Sequence, residues 1–139
     1  MELSSKSICR AAARRPGEMS ILLVDDDDDF RYGLAENLRD DGHEVREYSN
    51  PTQVSVGQLD GIDLVVTDQT MVGEDGLSFA QRVHRLRPRI PIILVTASST
   101  AQVEETVERS GYIQLLPKPL DYDRIERLVG ELTGSHPHA

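Results

Sequence analysis

The sequence predicts an α/β fold in which a five-stranded parallel sheet is doubly wound, with helices on both of its faces. Five short apolar runs recur along the chain, and patterns typical of helices separate them. Several of these runs are continuously apolar rather than alternating, as in strands that are covered on both faces. Strands that alternate with helices are joined by crossover connections, which favours parallel pairing.

The first half of the chain holds two predicted strands and two predicted helices. SILLV (20–24) is a continuous apolar run that predicts the first strand. Apolar residues then repeat every fourth position over 30–38, which predicts a helix that Gly42 ends. EVREY (44–48) alternates as a strand does. The segment 50–59 opens with Asn-Pro, but an internal glycine and β-branched valines predict a short or irregular helix there.

The middle of the chain continues the alternation. DLVVT (63–67) predicts a third buried strand, and a polar loop at 68–76 follows it. Helical spacing of apolar residues runs over 77–86 until Pro88 stops it. IPIILVT (90–96) predicts the fourth strand, with a proline near its start, where a missing N–H is tolerated.

The last third completes the pattern. Residues 98–110 predict a helix whose apolar face is interrupted by glutamates, and YIQLL (112–116) predicts the fifth strand. Asp121 then caps an amphipathic helix that runs to Leu132. The repeating strand–helix order therefore extends to the C-terminal end of the sequence.

The domain is predicted to span residues 19–134, between an N-terminal extension at 1–18 and a frayed tail at 135–139. The extension shows no sustained apolar periodicity, and we expect it to be disordered. It contains the single cysteine, so disulfides play no part in the predicted fold, and a reducing, cytoplasmic setting fits. Because seven residues follow Leu132, we expect either a stand-alone domain or a piece of a larger protein.

The charge of the chain is strongly negative and unevenly distributed. The net charge is −9, and since residues 1–18 carry +2, residues 19–139 carry −11. A domain this acidic lacks the clustered Lys and Arg that phosphate neutralisation requires, so we expect no nucleic-acid binding through its own surface. No stretch approaches the roughly 20 apolar residues that span a bilayer, which excludes a membrane-spanning class. A divalent cation or a basic partner fits the charge better.

Polar side chains follow the predicted strands directly. In an open parallel sheet, ligands bind beyond the carboxyl ends of the strands. The residues at those ends are Asp25 and Asp26, Asp68, Thr96 and Lys118. The fold therefore predicts that three carboxylates, a hydroxyl and an ammonium meet at one edge of the sheet.

Three carboxylates in one crevice repel each other unless a cation joins them. Hard oxygen ligands suit Mg²⁺, and Mg²⁺ together with Lys118 balances the three negative charges. A carboxylate is also a competent nucleophile toward phosphorus and gives an aspartyl phosphate. Transfer then requires mainly positioning and charge neutralisation of the phosphoryl oxygens, for which Lys118 and the Thr96 hydroxyl are suitably placed.

The remaining aspartates of the run at 25–29 are predicted to belong to the first helix. Asp27 is the expected N-cap, with Asp28 as the alternative. Asp28 and Asp29 would then lie in the first turn, where the helix dipole favours negative charge by about 0.3–1 kcal/mol each. That only partly offsets the repulsion, so we expect weaker folding without a divalent cation.

Four motifs at matching spacing resemble the receiver domains of bacterial two-component response regulators. They are ILLVDDD at the first strand, DLVVTDQTM followed by EDG at the third, ILVTA at the fourth and LPKPL at the fifth. The resemblance covers about residues 20–132 and implies a flavodoxin-like (βα)5 receiver fold. Each motif alone is weak, whereas four in register are specific.

The resemblance implies a role for each site residue. Asp68 would be the phosphoacceptor, and Asp25 and Asp26 would bind Mg²⁺, with Asp26 the more direct ligand. The backbone carbonyl of Thr70 would complete the protein ligands. Thr96 would be the switch hydroxyl.

The resemblance also assigns the residues around the fifth strand. Lys118 would pair with the phosphoryl group, and Lys118-Pro119 falls where the family has a cis peptide bond. Thr70 and Ser98 match positions that tune how quickly water removes the phosphate.

Three departures from the family pattern affect how the domain is expected to change its contacts on phosphorylation. Val72 stands where a proline usually follows the methionine, so the loop after Asp68 is expected to be less rigid. Leu115 replaces the usual Tyr or Phe three residues before Lys118. The glutamate-rich helix at 98–110 lies on the family's usual output face, so contacts through that face should differ.

The predicted function is a phosphoacceptor receiver that takes its phosphoryl group from a sensor histidine kinase or a histidine phosphotransfer protein and then contacts an unidentified downstream protein. It would catalyse only its own phosphorylation and dephosphorylation, and self-association into a homodimer is compatible with it. One alternative is an interaction module on the same fold that needs no phosphorylation. A less favoured alternative is a Mg²⁺-dependent phosphohydrolase with Asp68 as nucleophile, because such enzymes usually carry a second carboxylate where this chain has Thr70.

Overall fold

The computed structural model describes residues 17–133 of the 139-residue chain. It contains five strands and four α-helices, which we number in chain order. The strands are β1 (Ser20–Val24), β2 (Glu44–Tyr48), β3 (Leu64–Asp68), β4 (Ile92–Thr96) and β5 (Ile113–Pro117). The helices are α1 (Asp28–Asp40), α2 (Gly76–Leu86), α3 (Ala101–Ser110) and α4 (Tyr122–Thr133). The predicted tail at 135–139 and all but the last two residues of the predicted extension at 1–18 lie outside the described residues.

The five strands form one parallel sheet in the order β2-β1-β3-β4-β5. This confirms the predicted doubly wound α/β fold. β1, β3 and β4 are buried along their whole length, as their continuous apolar runs predict. β5 lies at an edge and exposes Gln114 and Pro117. The chain reverses its direction of winding at β1, so the crevice beside the carboxyl end of β1 is the topological switch point.

Each face of the sheet carries its own hydrophobic core. On one face, Leu34 and Leu38 of α1 pack with Ile125 and Val129 of α4. On the other face, α2 and α3 bury a second cluster that includes Phe79. Burying side chains of this size contributes roughly 1.5–3 kcal/mol each, so both layers hold the sheet firmly in place.

Short polar side chains fix the starts of the helices. Asp27 caps α1 by accepting a hydrogen bond from the Phe30 N–H at 3.2 Å, as predicted. Asp75 and Thr100 cap α2 and α3 in the same way. Asp121 accepts from two backbone N–H groups at the start of α4, at 3.0 and 3.4 Å. The start of every helix is therefore specified locally.

The segment at 50–59 is short and irregular, as predicted. It forms two short 3₁₀ helices, Pro51–Gln53 and Val56–Leu59, so residues 17–133 contain four α-helices where the sequence pattern predicts five helices. Asn50 caps the first of these 3₁₀ helices, as its Asn-Pro start predicts. The break after it lies at Val54, whose backbone is extended and whose side chain is buried in the core. No helix within residues 17–133 is both long and apolar enough to cross a bilayer.

Candidate functional site

Neighbouring strands bring the predicted carboxylates together. β1 pairs with β3, so Asp25 and Asp26, which follow β1, lie beside Asp68 at the end of β3. One oxygen from each carboxylate lies within 4.8 Å of the other two. Asp25 and Asp68 are buried, whereas Asp26 is exposed. The site is therefore a crevice with two acids at its base and one at its mouth.

Lys118 bridges the two buried carboxylates. Its Nζ lies 3.3 Å from Asp25 Oδ2 and 3.4 Å from Asp68 Oδ1. The lysine immediately follows β5, the Lys118-Pro119 peptide bond is cis as the resemblance implies, and the ammonium lies 4.1 Å from the centre of the Phe30 ring. The aromatic face and the two carboxylates thus hold the cation at the base of the crevice.

Burial makes the negative charge of the site costly. Burial raises the pKa of Asp25 above its ordinary value, and the Asp27 N–H and the Lys118 ammonium oppose that shift only in part. Burial also raises the pKa of Asp68, the negative charge of Asp25 raises it further, and Lys118 again opposes the shift. Without another cation, the site therefore contains more negative charge than it can stabilise.

The donor set of the crevice fits Mg²⁺. It consists of carboxylate oxygens, which are hard ligands, and the exposed Asp26 leaves one side open to water, as Mg²⁺ prefers. Lys118 balances one of the three negative charges, and a divalent cation would balance the other two. Thr70 is exposed on the loop after β3, two residues beyond Asp68, and its carbonyl stays a predicted ligand.

The predicted switch hydroxyl is hydrogen-bonded to the backbone of Ser98. Thr96 is buried at the end of β4, and its Oγ1 donates to the Ser98 carbonyl at 3.0 Å and accepts from the Ser98 N–H at 3.2 Å. These bonds tie the hydroxyl to the loop that leads into α3. Thr96 and Ser98, to which the resemblance assigns separate roles, are therefore in direct contact.

The loop at 69–75 is anchored at both ends. The Val72 N–H donates to Asp26 Oδ2 at 3.3 Å, which joins the loop to the acidic pair. Arg82 of α2 pairs with Glu74 at 2.8 Å and donates to the carbonyls of Pro51 and Val54. The loop is thus held by polar contacts where the family usually has a proline.

The two other departures from the family pattern, Leu115 and the glutamates of the helix at 98–110, lie on β5 and on α3. Leu115 is partly buried against the second core cluster, and Glu104, Glu105 and Glu108 are exposed on α3. Their predicted effect on the output contacts stays a prediction.

Two residues of the site were not predicted. Arg31 is buried on α1 and donates to the Asp25 carbonyl, and Gly76 begins α2 in tight contact with Asp68. The signal for Arg31 was its position three residues before Leu34, which places it on the buried face of the helix. The sequence pattern places Gly76 only at the end of a polar loop.

Comparison with known proteins agrees with this geometry. A family model described as the response regulator receiver domain matches residues 21–130. The DNA-binding transcriptional regulator NtrC of Azospirillum brasilense is 33% identical over 118 residues, which are 84% of this chain and 24% of that protein. The transcriptional regulatory protein ZraR of Salmonella typhimurium is 33% identical over 114 residues, 81% of this chain and 26% of that protein. The chain therefore spans about a quarter of the length of these relatives.

Solved structures share the fold. A receiver domain protein from Clostridium thermocellum has a TM-score of 0.78 at 20% identity, over 86% of this chain and 98% of that one. The receiver domain of NtrX from Brucella abortus has a TM-score of 0.73 at 24% identity, over 82% of this chain and 98% of that one. The family model spans most of the chain, including Asp25, Asp26 and Asp68 at the strand ends. The chain therefore belongs to the response regulator receiver domain family.

Proposed function

We propose that the chain is a phosphoacceptor whose Asp68 takes a phosphoryl group from the phosphohistidine of a sensor histidine kinase or a histidine phosphotransfer protein. The observation that carries the proposal is the bridging ammonium of Lys118, within 3.4 Å of both buried carboxylates. A cation between two acids at the open edge of the sheet is suited to receiving a phosphoryl group, which brings further negative charge.

The transfer makes one bond and breaks one bond. An oxygen of Asp68 attacks phosphorus, the P–N bond to the donor imidazole breaks, and its electron pair returns to the imidazole nitrogen, which takes up a proton. The product is an acyl phosphate on Asp68. Asp25 is less accessible to a phosphoryl donor, because 1% of the residue is exposed against 8% of Asp68, and its Oδ1 accepts from the Asp27 N–H.

The other side chains of the crevice hold charge and position. Asp25 and Asp26, together with Asp68 and the Thr70 carbonyl, would hold Mg²⁺, which when bound neutralises charge on the transferring phosphoryl oxygens. Lys118 would pair with one phosphoryl oxygen. The chain would catalyse only its own phosphorylation and dephosphorylation, without multiple turnover on other phosphate esters.

The Thr96 hydroxyl connects the site to a protein-contact surface. For Thr96 to donate to a phosphoryl oxygen, its bond to the Ser98 carbonyl must break, which would release the loop before α3. The switched surface would then bind a downstream protein or domain. The relatives are named as transcriptional regulators, so a regulator of transcription is one class of downstream partner. Self-association into a homodimer stays a prediction.

Labelling with a small phosphodonor tests the proposal. The full chain is incubated with acetyl phosphate and Mg²⁺, and intact mass is measured. We expect one added phosphate that is absent with EDTA and absent in Asp68→Asn. Asp29→Asn is the matched control, because Asp29 lies in the same acidic run but in the first turn of α1, and it should label as the wild type does.

Two results would contradict the proposal. Failure of the wild type to label, under conditions where another receiver domain labels, would favour an interaction module that needs no phosphorylation. Labelling of Asp68→Asn at the wild-type rate would place the acceptor elsewhere.

A further inference from the structure

We infer that Arg31 is a positioning residue that holds Asp25 and Asp26 in the arrangement needed to bind the divalent cation. This inference rests on the proposed function, since it concerns the metal site of that reaction. Its basis is a short hydrogen bond, in which Arg31 Nη1 donates to the Asp25 carbonyl oxygen at 2.6 Å.

That carbonyl belongs to the peptide unit between the two acidic residues. A peptide unit is planar, so fixing the Asp25 carbonyl also fixes the N–H of Asp26 and the directions in which both Cα atoms lie. One bond from Arg31 therefore constrains both acidic side chains, although it touches neither carboxylate. The Asp27 N–H fixes Asp25 from the other side, by donating to Oδ1 at 2.9 Å.

Arg31 is itself held rigidly. Only 6% of the residue is exposed, and a buried guanidinium is tolerated only where its donors are paired. Arg31 Nη2 lies 2.9 Å from Asp28 Oδ1, and its Nε lies 3.3 Å from Glu47 Oε1 on β2. Because the guanidinium is a planar fork, these two ion pairs orient the third donor toward the Asp25 carbonyl.

Arg39 provides a matched comparison within the same helix. Its Nη1 pairs with Glu47 Oε2 at 3.0 Å, and its Nη2 donates to the Val45 carbonyl at 2.9 Å. Both arginines therefore pair with Glu47 of β2 and donate to one backbone carbonyl, which lies on β2 for Arg39 and directly after β1 for Arg31. Of these two carbonyls, only the one bonded by Arg31 lies between the two acidic residues.

The sign of the effect on Mg²⁺ affinity separates positioning from simple electrostatics. Removing a positive charge from the neighbourhood of a cation site should strengthen cation binding on Coulombic grounds. Losing the orientation of the acidic pair should weaken it. If Mg²⁺ binds more weakly when Arg31 is neutralised, the loss must come from positioning, because the change in charge alone would strengthen Mg²⁺ binding.

The test compares Arg31→Gln and Arg31→Lys with Arg39→Gln in the full chain. Mg²⁺ affinity is measured by isothermal titration calorimetry, and melting temperature is measured in EDTA. We expect Arg31→Gln to weaken Mg²⁺ binding by about tenfold or more, as is typical of residues that orient metal ligands. Arg31→Lys retains the charge but not the fork and should also weaken binding, while Arg39→Gln should stay within about twofold of the wild type.

The outcomes are distinct. Unchanged or tighter Mg²⁺ binding in folded Arg31→Gln would overturn the inference, and so would an equal loss in Arg39→Gln. If neither Arg31 variant melts cooperatively while Arg39→Gln does, Arg31 determines the fold rather than the site, and the inference is overturned. A wild type that binds no Mg²⁺ also overturns it.

A wild type that binds Mg²⁺ but takes no phosphate from acetyl phosphate would refute the proposed function alone, since the role of Arg31 is judged from metal affinity.

Discussion

Replacing Gly76 with alanine should displace Asp68, the proposed phosphoacceptor. Gly76 is the first residue of α2, and a Cβ built on it would lie 2.1 Å from the carbonyl oxygen of Asp68 and 2.7 Å from Leu94 Cδ1. Real Cβ atoms essentially never approach another atom within 3.0 Å. The start of α2 and the carboxyl end of β3 must therefore move apart by at least the difference between 3.0 and 2.1 Å, about 0.9 Å. The nearest atom is backbone, so no side-chain rotation can relieve the contact.

The size of this shift sets the expected losses. Overpacking of this kind typically destabilises by about 1–3 kcal/mol, from which about 0.5–1 kcal/mol is recovered because alanine favours a helix over glycine. The net loss should therefore lie between about 0 and 2.5 kcal/mol, to be measured by denaturant unfolding. A misplacement of about 1 Å in a reacting group can lower its rate roughly a hundredfold, so the rate of labelling by acetyl phosphate should fall by about that factor.

Gly130→Ala is the control for the change in helix propensity. Gly130 lies within α4, and a Cβ there meets nothing within 4 Å. This variant should gain up to about 1 kcal/mol in stability and label at the wild-type rate. If Gly76→Ala labels as quickly as Gly130→Ala does, the contact between α2 and the Asp68 carbonyl does not position the acceptor and the reasoning is refuted.

Further predictions concern the carboxylates of the crevice and the cap of α1. An excess of Mg²⁺ should raise the melting temperature above its value in EDTA. In EDTA, Asp68→Asn should be more stable than the wild type near about pH 7, because burial raises the pKa of both Asp25 and Asp68 above the ordinary value of 3.8. A raised carboxyl pKa gives a penalty that is present above the folded pKa and relieved as the pH falls through it. The advantage of Asp68→Asn should therefore shrink as the pH falls toward the ordinary value of 3.8, and an advantage that stays constant or grows over that range would contradict this sign. Asp27→Ala should lower the free energy of unfolding by about 1 kcal/mol, because it removes the cap bond to the Phe30 N–H, whereas Asp29→Ala should change it by less than about half as much; equal losses in denaturant melts would argue against the cap.

The carboxyl ends of the strands were predictable because a simple rule governs them. Continuous apolar runs locate β1, β3 and β4, and the next residues must then meet at one edge of a parallel sheet. That reasoning brought Asp25, Asp68 and Lys118 together without any knowledge of distances. The bounds of β1 and β2 are those predicted, whereas those of β3, β4 and β5 differ by one or two residues, as expected where hydrogen bonding rather than hydropathy decides the end.

The parts that sequence reasoning missed depend on contacts between distant segments. Local signals favoured a helix at 50–59, but burial of Val54 in the core, against residues far along the chain, extends the backbone there. Helical periodicity places Arg31 on the buried face of α1, but a buried guanidinium needs partners, and Glu47 and the Asp25 carbonyl that supply them are set by the packing of α1 on the sheet. The tight contact of Gly76 with Asp68 likewise exists only once α2 has packed on the sheet.

The bond between Lys118 and Asp25 has a consequence for how the domain matures. These residues are separated by 93 positions, so the site closes only when the last strand of the sheet has docked. During synthesis the acidic pair emerges well before its ammonium partner, which directly follows β5. A nascent or truncated chain that lacks β5 and Lys118 would present the carboxylates without the lysine that pairs with them. On the proposed function, such a chain would be a poorer phosphoacceptor than the finished domain.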